Sequence, residues 1–312
     1  MHCLCRHFPT FSRAVLGMAL LALGGMALLP LGRSLQQAEH RAGLTAPELS
    51  LAGDALAEQL SFFTLGGLRS LAAEILTLDA TTAWVERDWP RAERRWEMIT
   101  TLCPGRPNYW INASRDMATN AASHTARDAS LSPREQEIMT RRYIARGEKF
   151  LQDGIAHNPQ NPLLYMSLGD LHADLNRRPD FAAAAAAYHR AVELGASALY
   201  RRQEFYNLCR IRGREQEAWT LGRELYNTPS QRVPSLRCLL FVLQQKIDAP
   251  ASERLSAAEL FGSEARARQE LSRFEHNQLR FPVSGIRQYL SGGTEPRRGD
   301  ALGDTPPSGA SW

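Results

Sequence analysis

The chain has 312 residues, of which 44% are hydrophobic and 22% charged. That balance excludes a wholly disordered, a collagenous or a polytopic membrane chain, and the length allows one or two domains. The net charge is only +4, the basic side is nearly all arginine with Lys149 and Lys246 the only lysines, and the five scattered cysteines (Cys3, Cys5, Cys103, Cys209, Cys238) contain no C-x-x-C, which argues against a zinc site or a disulfide framework.

In chain order, the first element is an apolar run. Ala14 to Gly32 carries no charge over 19 residues, close to what a helix needs to cross a ~30 Å hydrocarbon core. Arg6 and Arg13 precede it and Arg33 follows. This predicts a short cytoplasmic N-terminus at 1–13 and a single transmembrane signal anchor at 14–32. Gly25-Met26-Ala27 offers a signal-peptidase site, whose use would give a secreted protein. The apolar run continues through Leu28, Leu29 and Leu31, longer than a cleavable signal requires, which favours the anchor. Positive charge weighs slightly toward the N-terminal side. In a bacterial cell that puts the anchor in the inner membrane and most of the chain in the periplasm. A linker and leading helix follow at 33–67.

From residue 68 the chain repeats itself. Trp89, Ala92, Trp96, Ile99 and Pro104 have a bulky, small, bulky, small-or-apolar, proline order at spacings of three, four, three and five. Ile144, Gly147, Leu151, Gly154 and Pro159 copy it; Phe181, Ala184, Tyr188, Ala191 and Ala196, and Glu215, Ala218, Gly222, Leu225 and Ser230, copy it without the proline. Residues three and four apart share a helix face, so the small ones admit a neighbouring helix while the bulky ones fill the gap. The closing positions lie 55, 37 and 34 residues apart. Tyr165-x-x-Leu168-Gly169-x-x-His172, and more loosely Trp110-x-x-Ala113-Ser114-x-x-Met117, supply first helices of such units.

On these residues, 68–230 resembles the tetratricopeptide-repeat family, and Leu65 to Glu74 and Gly154 to Pro159 look like segments of bacterial membrane-anchored proteins of that family. The resemblance implies an all-α solenoid of about four helical hairpins that binds other proteins and performs no chemistry. It also implies that the first helix of each unit lines a concave groove. That maps Asn108, Ile111 and Arg115, then Leu163, Met166, Asp170 and Asp174, then Gln203, Asn207 and Arg210 onto the groove. Asn108, Arg115, Asp170, Asp174, Asn207 and Arg210 are the candidate protein-binding residues.

The 21-residue excess in the first interval has a place. Ser132-Pro133-Arg134-Glu135 is a capping box with proline at the first helical position, so a helix of ~25 residues should run from there to about His157. With a partner reaching from Asn108 toward Arg127, it predicts a long hairpin projecting beyond the stack, with a second candidate surface between Thr119 and Arg142. The alternative is an elongated packing helix. Beyond the repeats, Pro234 to Ile247 reads as an apolar helix and Ala251 to Leu279 as polar-faced helices broken near Gly262. Together 231–290 should cap the solenoid, and 291–312 has the composition of a disordered tail.

No side-chain set compels catalysis or metal binding. On a helix His172 points away from Asp170 and Asp174, and Cys103, His124 and His157 have no telling spacing. No phosphate-loop, nucleophile-elbow or H-E-x-x-H motif occurs. Arg201, Arg202, Arg210, Arg212 and Arg214 could track phosphates, but Glu204, Glu215 and Glu217 are interleaved. The expectation is a non-catalytic scaffold for other proteins, with no cofactor, metal, nucleic acid or small-molecule substrate. A cytoplasmic arginine-rich RNA binder is the alternative, and an enzyme with an unrecognised site a third.

Overall fold

The computed structural model describes residues 69–277 and 280–292. The described residues are helical, without a strand, and divide into two units at Pro159 and Gln160. Their architecture is that of a helical repeat, in which successive helices joined by short connections pair antiparallel.

The first unit opens with α1 (Arg69–Glu86) against α2 (Trp89–Leu102). The contact face of α1 is made of alanines, Ala72, Ala73, Ala80 and Ala83. These let α2 approach closely while its own Trp89, Trp96 and Ile99 fill the space. Asp88 caps α2, its side chain accepting from the Arg91 amide at 3.0 Å. The second pair begins with α3 (Pro107–Ser114), which continues without a break into a π-helical segment (Arg115–Ala121) and α4 (Ala122–Thr125). It packs along α5 (Pro133–His157), which has the capping box expected at Ser132: the Glu135 amide donates to Ser132 Oγ at 3.3 Å and the Ser132 amide to Glu135 Oε2 at 2.9 Å. Where the two helices meet, Gly147 leaves no room for a side chain. A Cβ there would lie 2.4 Å from Ala118 Cβ and 2.7 Å from the Ser114 carbonyl oxygen. The carbonyl of Pro104, which closes the first repeat, accepts from Trp110 Nε1 and Asn158 Nδ2, both at 2.8 Å.

The second unit pairs α6 (Pro162–Ala173) with α7 (Phe181–Glu193) and α8 (Ala198–Leu208) with α9 (Glu215–Tyr226). Gly169 lies under the ring of Tyr188, 2.7 Å from where its Cβ would be. A single turn of 3₁₀ helix at Pro229–Gln231 leads to α10 (Pro234–Lys246), followed by α11 (Ala257–Phe261), α12 (Glu264–Asn277) and α13 (Ile286–Leu290). Every residue of α10 from Cys238 to Gln244 is buried. A helix apolar on all sides belongs inside, and Leu236, Leu239, Leu240 and Leu243 join Phe205, Leu208 and Leu271 in the largest hydrophobic cluster. Gln244 is satisfied within it, donating to the Leu255 carbonyl at 2.8 Å and accepting from the Leu255 amide at 3.0 Å.

One expectation is corrected. The solenoid preceded by a transmembrane helix is not what the described residues show: none of their helices is long and apolar enough to cross a membrane. The expected span at 14–32 lies outside them, as do 1–13, 33–67 and 293–312. Within 231–290 the expected apolar helix is present as α10, buried from Cys238 to Gln244 in the interior of the second unit. The base of the long hairpin touches α2, where the Trp89 indole contacts His124 and Arg146 Nε reaches Glu93 at 2.8 Å. Beyond these contacts residues 126–141 are mostly exposed, with none buried.

Candidate functional site

The residues assigned to a groove fall in both units. In the first, Asn108 is exposed on the first turn of α3, and Arg115 is exposed at the start of the π-helical segment, where its guanidinium donates to Asn112 Oδ1 at 2.9 Å. In the second, Asp170 is on α6 and accepts from the Tyr188 hydroxyl at 2.7 Å. Burial, and then that carboxylate, push the Tyr188 phenol well above its ordinary range. Asp174 does not continue the face of Asp170. The helix ends at Ala173, and Asp174 turns the chain by accepting from the Asn176 amide at 2.9 Å and pairing with Arg177 Nε at 2.7 Å.

Asn207 is corrected outright. It is 1% exposed, with Nδ2 donating to the Gln203 carbonyl at 2.8 Å and a buried Oδ1 without a partner. Arg210 is half-buried among rings, its guanidinium carbon 3.7 Å from the centre of Phe281 and 5.3 Å from that of Phe181. Burial, with Arg280 nearby, brings its pKa down to about 10. Its work is packing α8 against the C-terminal segment, a cation held on aromatic faces.

One concavity among the described residues lies in the first unit, between the α1–α2 turn and the outer side of the π-helical segment and α4. It is an open cleft of about 440 Å³, lined by Trp84, Val85, Arg87 and Trp89 on one side and Thr119, Asn120, Ser123, His124 and Arg127 on the other. A second hollow of about 400 Å³ shares Arg87, Ser123, His124 and Arg127 and adds Asp128 and Ala129. Local sequence explains each wall. Arg87 takes a left-handed backbone conformation, φ 60°, and so reverses the chain between α1 and α2. Trp89 then begins α2 just before Pro90.

Across the cleft the i to i−5 pattern of the π-helical segment, seen in the Ala122 amide bonding the Met117 carbonyl, sets the facing of Thr119, Asn120 and Ser123. Asp116 in the same segment is buried. It accepts from Trp96 Nε1 at 2.8 Å and from Asn120 Nδ2 at 2.9 Å, and burial raises its carboxyl above the usual range against the pull of those bonds.

The floor of the cleft is the Trp89–His124 pair. The indole N–H donates to His124 Nδ1 at 3.2 Å, the ring centres being 5.7 Å apart. Since an indole can only donate, Nδ1 must be the accepting nitrogen, and the neutral ring carries its hydrogen on Nε2. Arg87 Nη1 lies 3.5 Å from that Nε2. Two donors face one another there, so His124 cannot satisfy the Arg87 guanidinium. Asp128 at the rim is held below the usual carboxylate range by the hydroxyl and amide of Ser130. The cleft thus presents two tryptophans, Val85, two guanidinium groups and one carboxylate.

The other residues weighed for chemistry are spread out. Cys103 closes α2, its thiol pushed up by burial, and His157 stacks on Trp110 with centres 5.5 Å apart. Among the described residues no three histidine, cysteine or carboxylate side chains are grouped to hold a metal. The far wall, Thr119 to Arg127, falls within the second candidate surface, whereas the sequence gives Trp89 a packing role and no sign of Arg87. The positive φ at Arg87 and the contact over 35 residues to His124 leave no local signature. Compared with known families and with curated proteins, the chain is matched by no family model and by no curated protein.

Proposed function

We propose that the chain is a non-catalytic helical-repeat protein of tetratricopeptide type that docks other proteins, and that the cleft of the first unit takes an acidic segment bearing an apolar anchor. The observation that carries this is the joining of exposed Trp84 and Val85 to Arg87 and Arg127 around one concavity. Aromatic residues and arginine are the side chains that most often carry binding energy at protein interfaces. The chemistry of the rest is quiet. Burial pushes the Cys238 thiol up to about 12, far from a reactive thiolate. Against the RNA-binding alternative, two of its five arginines are engaged by carboxylates: Arg201 pairs with Glu204 at 2.8 Å and with Glu224 at 3.3 Å, and Arg214 with Glu217 at 2.5 Å.

Selection of displayed peptides on the full chain should enrich segments in which one or two carboxylates neighbour an aliphatic or aromatic residue. Arg127→Glu should remove the preference for the carboxylates, and Trp84→Ala the preference for the apolar anchor, with helical circular dichroism unchanged in both. If both folded variants select the same peptides as the parent, the cleft is not the docking site.

A further inference from the structure

α1 is apolar on two opposite sides. Its alanine face meets α2, while Leu71, Ile75, Leu78 and Val85 form a stripe on the other side and are 56%, 58%, 70% and 66% exposed. With Thr82 these residues recur at four, three, four and three, the spacing of a helix that packs lengthwise on another. Thr82 turns its hydroxyl to the Leu78 carbonyl at 3.0 Å, which leaves its methyl outward. The carboxylates of α1 are engaged elsewhere: Asp79 with Arg91 and Arg95, Glu86 with Arg91 at 2.9 Å, and Glu74 with the Tyr109 hydroxyl at 2.7 Å. Nothing charged interrupts the stripe.

We propose that the stripe is covered by this chain's own segment 45–65, docked antiparallel along α1. Four features of the sequence single it out. Leu49, Gly53, Leu56, Leu60 and Phe63 also recur at four, three, four and three. The two series are mirror images about Gly67: Phe63 and Leu71 each lie four residues from it, Leu56 and Leu78 eleven, and Leu49 and Val85 eighteen, with Leu60 and Ile75 opposite to within one. That is the register of an antiparallel hairpin, and it places the two small residues, Gly53 and Thr82, in the same layer.

At ~100° per residue, Asp54 and Glu58 fall on the side away from this series. The ends are marked as well. Thr45-x-x-Glu48 repeats the capping-box pattern that Ser132 and Glu135, and Ser256 and Glu259, both form in the structure, and Gly66-Gly67 provides a stop and a turn. The tether to α1 is short enough to give this segment a high effective concentration on the stripe, which favours it over a second copy of the chain. Val85 alone belongs to both the stripe and the docking cleft; Trp84 and Arg127, which the peptide selection tests, lie off the stripe, so that selection neither requires nor excludes this inference.

The test is thiol labelling of the full chain, followed peptide by peptide. Leu78→Cys should react at least tenfold more slowly than Ala182→Cys, an exposed site on α7. Adding Leu56→Asp and Leu60→Asp should bring it to the rate of that control. Oxidising a Leu56→Cys/Leu78→Cys pair should give a disulfide within one chain. The proposal is overturned if Leu78→Cys labels as fast as the control in the parent background, or if its protection persists with both aspartates present. It is equally overturned if protection falls on dilution or the oxidised pair links two chains, since a second copy would then be the cover.

Discussion

The two units use apolar residues in opposite ways. In the second, large aliphatic side chains converge on α10, a helix with no solvent-facing side from Cys238 to Gln244. In the first, helices meet through alanine and Gly147, buried polar bonds such as Trp96 to Asp116 sit between them, and among the described residues one helix carries a second apolar face that no other helix packs against. A leucine-filled interior leaves little to recognise. The first unit buries Trp89, Trp96 and Trp110 but leaves Trp84 exposed beside Arg87 and Arg127 at the cleft. The contrast puts bulk stability in the second unit, and on the proposed reading recognition in the first.

Removing volume from the second unit should do the greatest damage. Leu239→Ala, at a position with no exposure, should cost ~2–5 kcal/mol in a urea melt, since the surrounding helices cannot fully close the cavity. Adding volume is the corresponding injury in the first. Gly147→Ala should cost ~1–3 kcal/mol and more than Gly222→Ala. The methyl at 147 meets backbone, the Ser114 oxygen and the Ala118 nitrogen, whereas at 222 it meets the side-chain ends of Leu240 and Phe205. Equal losses would mean that the close backbone approach is not what holds the first unit.

Helix starts should show no such contrast. Ser132→Ala and Ser256→Ala each remove one capping box, and each should lower stability by about 1 kcal/mol. A difference of severalfold between them in denaturant midpoints would show that local capping is felt unequally in the two units. The smallest effect is a pH dependence confined to the first unit. Folding raises the Asp116 carboxyl above its unfolded value, so the folded chain holds that proton to higher pH. This contribution to stability is largest in acid, falls as pH rises through the window between the two values, and is flat above it. Asp116→Asn should remove that slope. Subtracting its stability profile from the parent's between pH 3 and 7 should leave a curve that descends with pH, and an ascending curve would contradict the assignment.

What could be read from the sequence was what local chemistry decides. The start of α5 follows from Ser132, Pro133 and Glu135 within four residues, and the small and bulky alternation in α2, α5 and α7 follows from the face each must bury. Gly262, φ +85°, ends α11 where a break was expected. The groove was less legible because its residues were placed by the resemblance alone. α8 buries Glu204 and Asn207 while leaving Leu199 exposed, so polarity along it does not reveal its inner face. Asn207 was assigned to the wrong side for that reason. The cleft was missed because its floor joins Trp89 to His124, and its far wall depends on a π-helical segment fitted to Gly147. Both are tertiary effects without a local pattern.

That π-helical segment also bears on how the chain tolerates changes in length. An α-helix that gains a residue usually rotates everything beyond it by about 100°, turning buried side chains outward. Here the wider turns hold additional chain inside the helix. Met117, Ala118, Ala121 and Ala122 stay buried, and α4 still meets α5. A single-residue insertion or deletion between Arg115 and Ala121 therefore has somewhere to go. It would change the winding of this stretch and re-aim Thr119, Asn120 and Ser123 at the cleft, without shifting the loop before α5. The segment works as a local slack in the thread, where the wall of the cleft can vary while the hairpin beneath it keeps its length.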